Sequence, residues 1–225
     1  MKEILKIKTD HVTLEGELAF PEKTRGLVIF SHGSGSSRLS PRNNFVAKRL
    51  RENGLATFLF DLLTEEEDRL YHIRFDIQLL SRRLAEVTRY LVTLPSLQHL
   101  PLGYFGASTG AASAIVAASV LPEHIKAIVS RGGRPDLASD YLELVKAPTL
   151  LIVGGHDQQV IALNSEALLK IHAEKSIQIL EGATHLFEEP GMLEEVARLS
   201  ANWFRKYLTG KVPLTIRETT DTTRI

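Results

Sequence analysis

Short apolar runs alternate with longer amphipathic stretches along most of the chain. Residues 4–8 and 12–20 switch between apolar and polar positions, which predicts an antiparallel hairpin at a sheet edge with Thr9, Asp10 and His11 as its turn. Pro21 to Gly26 is polar and turn-like. From Leu27 the pattern changes to nearly continuous apolar runs: Leu27–Phe30, Leu55–Phe60, Leu102–Phe105, Ile125–Val129, Thr149–Val153 and Ile177–Leu180. Such runs suit strands covered on both faces, as in a parallel sheet.

Between these runs lie helical patterns. Ile73, Ile77, Leu80, Leu84, Val87, Leu91 and Leu94 recur at steps of three and four, with Arg74, Arg82, Arg83, Glu86 and Arg89 on other faces. This predicts an amphipathic helix over 72–94 lying on the sheet. A last helix over 192–208 places Leu193, Val196, Ala197, Trp203, Phe204, Tyr207 and Leu208 at similar spacing, with Trp203 expected in the core. The β-α-β-α order predicts a doubly wound, mostly parallel α/β sheet with helices on both faces and the N-terminal antiparallel hairpin at one edge. Residues 1–208 read as a single domain. Residues 209–225 lose the pattern and read as a loose tail or an arm packing on a partner.

Composition narrows the function classes. The 225 residues carry 27 basic and 27 acidic side chains, so the electrostatic case for a nucleic-acid binder falls away. Mean hydropathy is −0.03 and no apolar run reaches the length of a membrane span, so no membrane partner is expected. The N-terminus lacks a secretory apolar core, and a cytoplasmic location is expected. With no cysteine, disulfides, thiolate zinc sites and a cysteine nucleophile are excluded. No H-E-x-x-H occurs, and the acidic run Glu65 to Asp68 reads as a solvated loop, so neither metal nor cofactor is expected.

Candidate chemistry sits at strand ends. Gly106-Ala107-Ser108-Thr109-Gly110 follows one apolar run and precedes a small-residue helix. A serine in a tight strand-to-helix turn presents its hydroxyl above the sheet, and the positions two before and two after it must be small. A hydroxyl needs a base, and the base an orienting carboxylate. His185 follows the last predicted strand and Asp157 the one before it, each at the carboxyl end of its strand. Seen singly, Asp157 could cap a helix and His185 could be a surface residue. Together they stand in the order Ser108, Asp157, His185 on one predicted edge. His156 is the nearest rival base, but it abuts the acid.

The loop Ser31-His32-Gly33-Ser34-Gly35-Ser36-Ser37 follows another strand. An oxyanion needs two donors. The Thr109 amide is the first, and Ser34 is the expected second, with Gly35 as the alternative. His32 is read as holding the loop. Gly33-x-Gly35 also opens a dinucleotide fingerprint, but Arg38 stands where its third glycine belongs, and no phosphate-loop motif occurs anywhere.

Taken together, the His32-Gly33-Ser34-Gly35 loop, Gly106-Ala107-Ser108-Thr109-Gly110, Gly154-Gly155-His156-Asp157 and Gly182-Ala183-Thr184-His185 resemble the dienelactone-hydrolase-like group of α/β-hydrolases over residues 10–208. The resemblance implies the α/β-hydrolase fold and small ester or lactone substrates. Serine stands where true dienelactone hydrolases use cysteine, which favours a broader esterase. Residues 61–67 (Asp-Leu-Leu-Thr-Glu-Glu-Glu) also resemble a loop of members sometimes fused to a phosphoribosyltransferase domain, and no such domain is expected in these residues.

The expected activity is therefore a serine hydrolase with Ser108 as nucleophile, His185 as base and Asp157 as orienting acid, working through an acyl-enzyme. Only 19 residues, Ser130 to Pro148, separate two predicted strands, so at most a minimal cap is expected over an open, shallow site. Arg131 and Arg134 follow one strand, and Arg38 and Arg42 follow the oxyanion loop. Arg131, Arg134 and Arg38 are candidate binders of an acidic substrate, set against the simpler possibility of solvated arginines. A non-catalytic binding or scaffold role on the same fold, and acyl transfer to an acceptor other than water, stay open, as does a homo-oligomer.

Overall fold

The structure is a computed structural model that describes residues 1–9 and 11–209. Alternation in the first segments produces the expected hairpin. Strand β1 (Lys2–Lys8) pairs antiparallel with β2 (Thr13–Ala19), with Lys2 opposite Ala19 and Lys8 opposite Thr13. Ile7, Leu14 and Leu18 turn inward, and the charged residues between them face out. Asp10, in the expected turn, lies outside the described residues.

β2 pairs antiparallel with β4 (Ala56–Phe60), and every later pairing is parallel. The sheet order is β1-β2-β4-β3-β5-β6-β7-β8, with β3 at Leu27–Ser31, β5 at Leu102–Ala107, β6 at Ile125–Arg131, β7 at Thr149–Gly154 and β8 at Lys175–Leu180. Every residue of β3, β4, β5 and β7 is buried, as their apolar runs demand. β8 departs from the expectation of a covered strand. It is the edge strand, and Ile179 is 46% exposed.

Helices cover both faces. Helices α1 (Pro41–Glu52) and α6 (Met192–Leu208) pack together on one core, built around Phe30, Phe105, Leu50 and Phe204. Helices α3 (Ile77–Leu91), α4 (Thr109–Val120) and α5 (Gln158–Lys170) lie over the other core, with a 3-10 segment at Pro135–Leu144. That segment is the only helical element among the described residues between β6 and β7, so no cap domain is inserted there.

Three expectations need correction. The helix expected over 72–94 begins at Ile77, because the Asp76 carboxylate accepts the Leu79 N–H at 2.9 Å and caps it there; Tyr71–Phe75 is a separate 3-10 turn. Trp203 is half-buried rather than in the core. Its amphipathic ring sits at the rim against Tyr207, with the indole N–H donating to the Pro148 carbonyl at 3.3 Å. The acidic run is a one-turn helix, α2 (Glu65–Asp68), closed by a capping box between Thr64 and Glu67. Glu67 takes a two-pronged contact from Arg83 at 2.7 and 2.6 Å, and Arg83 also donates to the Leu62 carbonyl. The tail expected over 209–225 lies outside the described residues apart from Thr209. Among the described residues no helix is long and apolar enough to cross a membrane.

Parallel pairing has one consequence for function. The carboxyl ends of β3, β5, β6, β7 and β8 lie along one sheet edge, and so do the loops that follow them. Gly33, Ser108, Arg131, Asp157 and His185 are therefore brought to that edge from distant parts of the chain.

Candidate active site

Ser108 stands alone between β5 and α4. Its φ is 51° and its ψ −122°, a backbone conformation that a residue with a side chain adopts only when its surroundings force it. The forcing contacts are visible. A Cβ on Gly110 would lie 2.1 Å from the Ser31 carbonyl oxygen and 2.4 Å from that of His32, so α4 docks directly on the end of β3. A Cβ on Gly106 would lie 2.5 Å from the Ala111 Cα. The Ser31 and Ser113 hydroxyls, 2.6 Å apart, pin the same junction.

Asp157 precedes α5 in the capping position, yet its side chain makes no cap. Instead Oδ2 lies 2.7 Å from Nδ1 of His185. A carboxylate only accepts, so Nδ1 carries the hydrogen, and in the neutral ring Nε2 is left with its lone pair. The rival His156 is not the partner. The His185 loop is held in a tight turn by Phe187, fully buried with φ 57°, whose N–H donates to the Thr184 carbonyl at 3.2 Å.

Ser108 and His185 border one cavity of about 260 Å³, together with Gly33, Ser34, Arg42 and Arg131. A larger cavity of about 390 Å³ on the far side of the 32–39 loop touches neither Ser108 nor His185. The Thr109 amide is the first of α4. The Ser34 amide, the expected second donor, points at the Thr109 hydroxyl at 2.8 Å. That contact had no signature in the sequence. Gly35, the alternative donor, borders a smaller cavity beside Asp68 and Arg74 and not the cavity of Ser108.

The arginine candidates separate. Arg131 and Arg42 border the cavity. Arg38 does not: it donates to Asp61 at 2.7 Å, also contacts Glu15, and lines the other cavity. Arg134 is held by both oxygens of Asp136 at 2.8 and 2.7 Å. Carboxylates already present engage these two; Arg38 lies away from Ser108, whereas the backbone N–H of Arg134 donates to the Ser108 carbonyl at 3.1 Å.

His32 holds its loop. Its Nε2 accepts the Leu62 N–H at 3.0 Å, so Nδ1 carries the hydrogen and donates to the Gly33 carbonyl at 3.0 Å. Burial pushes its pKa below the ordinary 6.5, with the Gly33 carbonyl and the charges of Asp61 and Asp68 opposing. A histidine with a depressed folded pKa keeps its contribution above the unfolded value and loses it as pH falls through the folded one. Unfolding free energy is therefore expected to fall below pH 6.5 with a component from this group of at most about 1.4 kcal/mol per pH unit. Urea titrations of wild type and His32→Gln at pH 7 and 5 check this, and equal pH slopes in both would exclude His32 as the source.

The sequence profile of the dienelactone hydrolase family matches residues 14–207. The chain belongs to the dienelactone hydrolase family. Membership agrees with the α/β-hydrolase fold described above. Its structure superposes on a dienelactone hydrolase from Anabaena variabilis with a TM-score of 0.90 and 52% identity, covering 92% of this chain and 98% of that one. The esterase Est1E from Butyrivibrio proteoclasticus shares the fold, with a TM-score of 0.76 at 16% identity over 90% of this family member and 99% of Est1E. A curated relative from Mycobacterium tuberculosis, named "Putative phosphoribosyl transferase Rv0571c", is 54% identical over 211 residues, 94% of this chain. The chain spans 48% of that relative's length.

Proposed function

We propose that this family member is a serine hydrolase that cleaves small carboxylic esters or lactones through an acyl-enzyme. The observation that carries the proposal is the 2.7 Å contact between Asp157 and His185, made across two loops beside the cavity that Ser108 also borders. Asp157 leaves its helix uncapped to make it, which an ordinary capping residue does not do.

In the proposed cycle the Ser108 hydroxyl attacks the ester carbonyl while His185 Nε2 takes its proton. Asp157 holds the ring in the needed tautomer and balances its positive charge. The carbonyl oxygen becomes an oxyanion that accepts from the Thr109 and Ser34 amides, the latter once the Thr109 hydroxyl turns from it. Collapse expels the alcohol, which takes the proton from His185. Water, deprotonated by His185, then attacks the acyl-enzyme; collapse releases the acid, and His185 returns the proton to the departing Ser108 oxygen.

The transferase name of the M. tuberculosis relative belongs to a chain about half of which is matched here, and it is the dienelactone hydrolase profile that matches residues 14–207 of this chain. A panel of aryl esters, small lactones and thioesters, with products followed in water and in added methanol, tests the proposal. Acid release from esters or lactones in water is expected. Turnover only with methanol present would make the protein an acyltransferase, and no turnover of any substrate would favour a binding role.

A further inference from the structure

Arg131 carries a buried charge with no partner. It ends β6, the strand beside the one that presents Ser108, and it is 7% exposed. Among the described residues its guanidinium makes no hydrogen bond or ion pair, and Nε is shut off from solvent. Its neighbours are the Phe187 ring, 5.9 Å away, and Arg42, whose like charge opposes its own. Burial and Arg42 push its pKa down to about 10, so it stays charged at neutral pH. Unpaired buried cations are costly, and proteins normally supply an anion or a carboxylate. Arg131 borders the cavity of Ser108 and His185.

Other polar side chains border the same space. Arg42 donates to Glu188 at 2.5 Å through Nη1, while its Nε is buried without a partner. Ser36 and Ser40 also line the cavity. The Ser40 oxygen caps α1 by accepting the Asn43 N–H at 3.3 Å, which leaves its own hydrogen to donate elsewhere. The first turn of α1, twelve residues long, adds the positive end of its dipole.

We infer that this cavity receives a phosphate group carried by the substrate, so that the ester cleaved is one whose acyl or alcohol part bears a phosphate monoester. The inference rests on the serine-hydrolase reading for the bond that breaks. The phosphate is a handle: the acyl C–O bond is cleaved as before, and the phosphate leaves intact on one product. A carboxylate offers two oxygens in one plane and is satisfied by the fork of a single arginine. The donors here come from three directions: the end of β6, the loop after β3 and the start of α1. That arrangement suits a tetrahedral group with three oxygens and close to two negative charges.

The test has two arms on the 225-residue chain. Calorimetric titration of the wild type with inorganic phosphate and with acetate, at matched ionic strength, is expected to give one phosphate site per chain, at least about 10-fold tighter than acetate. Arg131→Met is expected to weaken it by about 10- to 100-fold. In the second arm, kcat/KM is compared for acetylated glycerol phosphate and acetylated glycerol. The phosphorylated ester should be preferred in the wild type, and the preference should fall about 10- to 100-fold in Arg131→Met. Absent phosphate binding, or acetate binding as tightly, overturns the phosphate site. Turnover of both esters without preference overturns it as well and leaves the hydrolase reading standing. Phosphate binding that depends on Arg131, with neither ester nor any other cleaved, supports the site and counts against the hydrolase reading alone.

Discussion

Ser108→Ala is expected to lower kcat/KM on a responsive aryl ester by at least about three orders of magnitude, with a melting temperature close to wild type. The size follows from the roles argued above. Without the hydroxyl there is no bond to form, and the remaining rate comes only from binding and the oxyanion donors. Stability is spared because alanine meets the same φ of 51° that serine already tolerates, and among the described residues no hydrogen bond of the Ser108 hydroxyl helps to hold the turn. Asp157→Asn is expected to reduce the rate by about 10⁴ while keeping the fold, since an amide can donate to His185 Nδ1 and stabilise the wrong tautomer. Steady-state kinetics beside circular dichroism melts check both. A Ser108→Ala protein with wild-type turnover would remove serine catalysis.

Gly110→Ala is expected to have the largest effect on stability, a loss of more than about 3 kcal/mol, or roughly 10 °C in Tm for a domain of this size. The added methyl would meet two backbone oxygens, at 2.1 and 2.4 Å, and backbone cannot rotate away as a side chain can. Either α4 lifts off β3, or the turn that strains Ser108 relaxes. Activity is expected to fall with stability for that reason. Gly191→Ala provides the contrast. It sits at φ 82° with nothing within 4 Å of the new methyl, so only the backbone cost of about 1 kcal/mol applies. Urea unfolding of the two variants measures the difference; equal losses would show that the junction of α4 with β3 is not tightly packed.

The parts of the molecule that were legible in the sequence are those fixed by local chemistry. Apolar runs bounded by turns marked the strands, because burial on both faces allows little else. Gly106 and Gly110 marked the tight turn, because two of its neighbours are backbone oxygens. What was not legible depended on which strands are neighbours. Arg38 and Arg42 sit four residues apart after the same strand, and nothing local tells them apart. Arg38 is drawn away because the order β2-β4-β3 brings Glu15 and Asp61 beside it, whereas Arg42 on the first turn of α1 faces Ser108's cavity. The bond from the Ser34 amide to the Thr109 hydroxyl joins residues 75 apart, and no spacing rule announces it. The start of α3 was misplaced for a local reason: Ile73 fits the apolar rhythm, but Asp76 caps the helix after it.

The central claim is that Ser108 is a nucleophile activated by His185 and Asp157. It is tested most directly by treating the 225-residue chain with a fluorophosphonate and mapping the modified peptide by mass spectrometry. The account predicts one phosphonyl group per chain, on Ser108, with labelling slowed strongly in His185→Ala. An unmodified Ser108 in folded wild-type protein, or labelling at Ser108 that proceeds equally fast without His185, would contradict it.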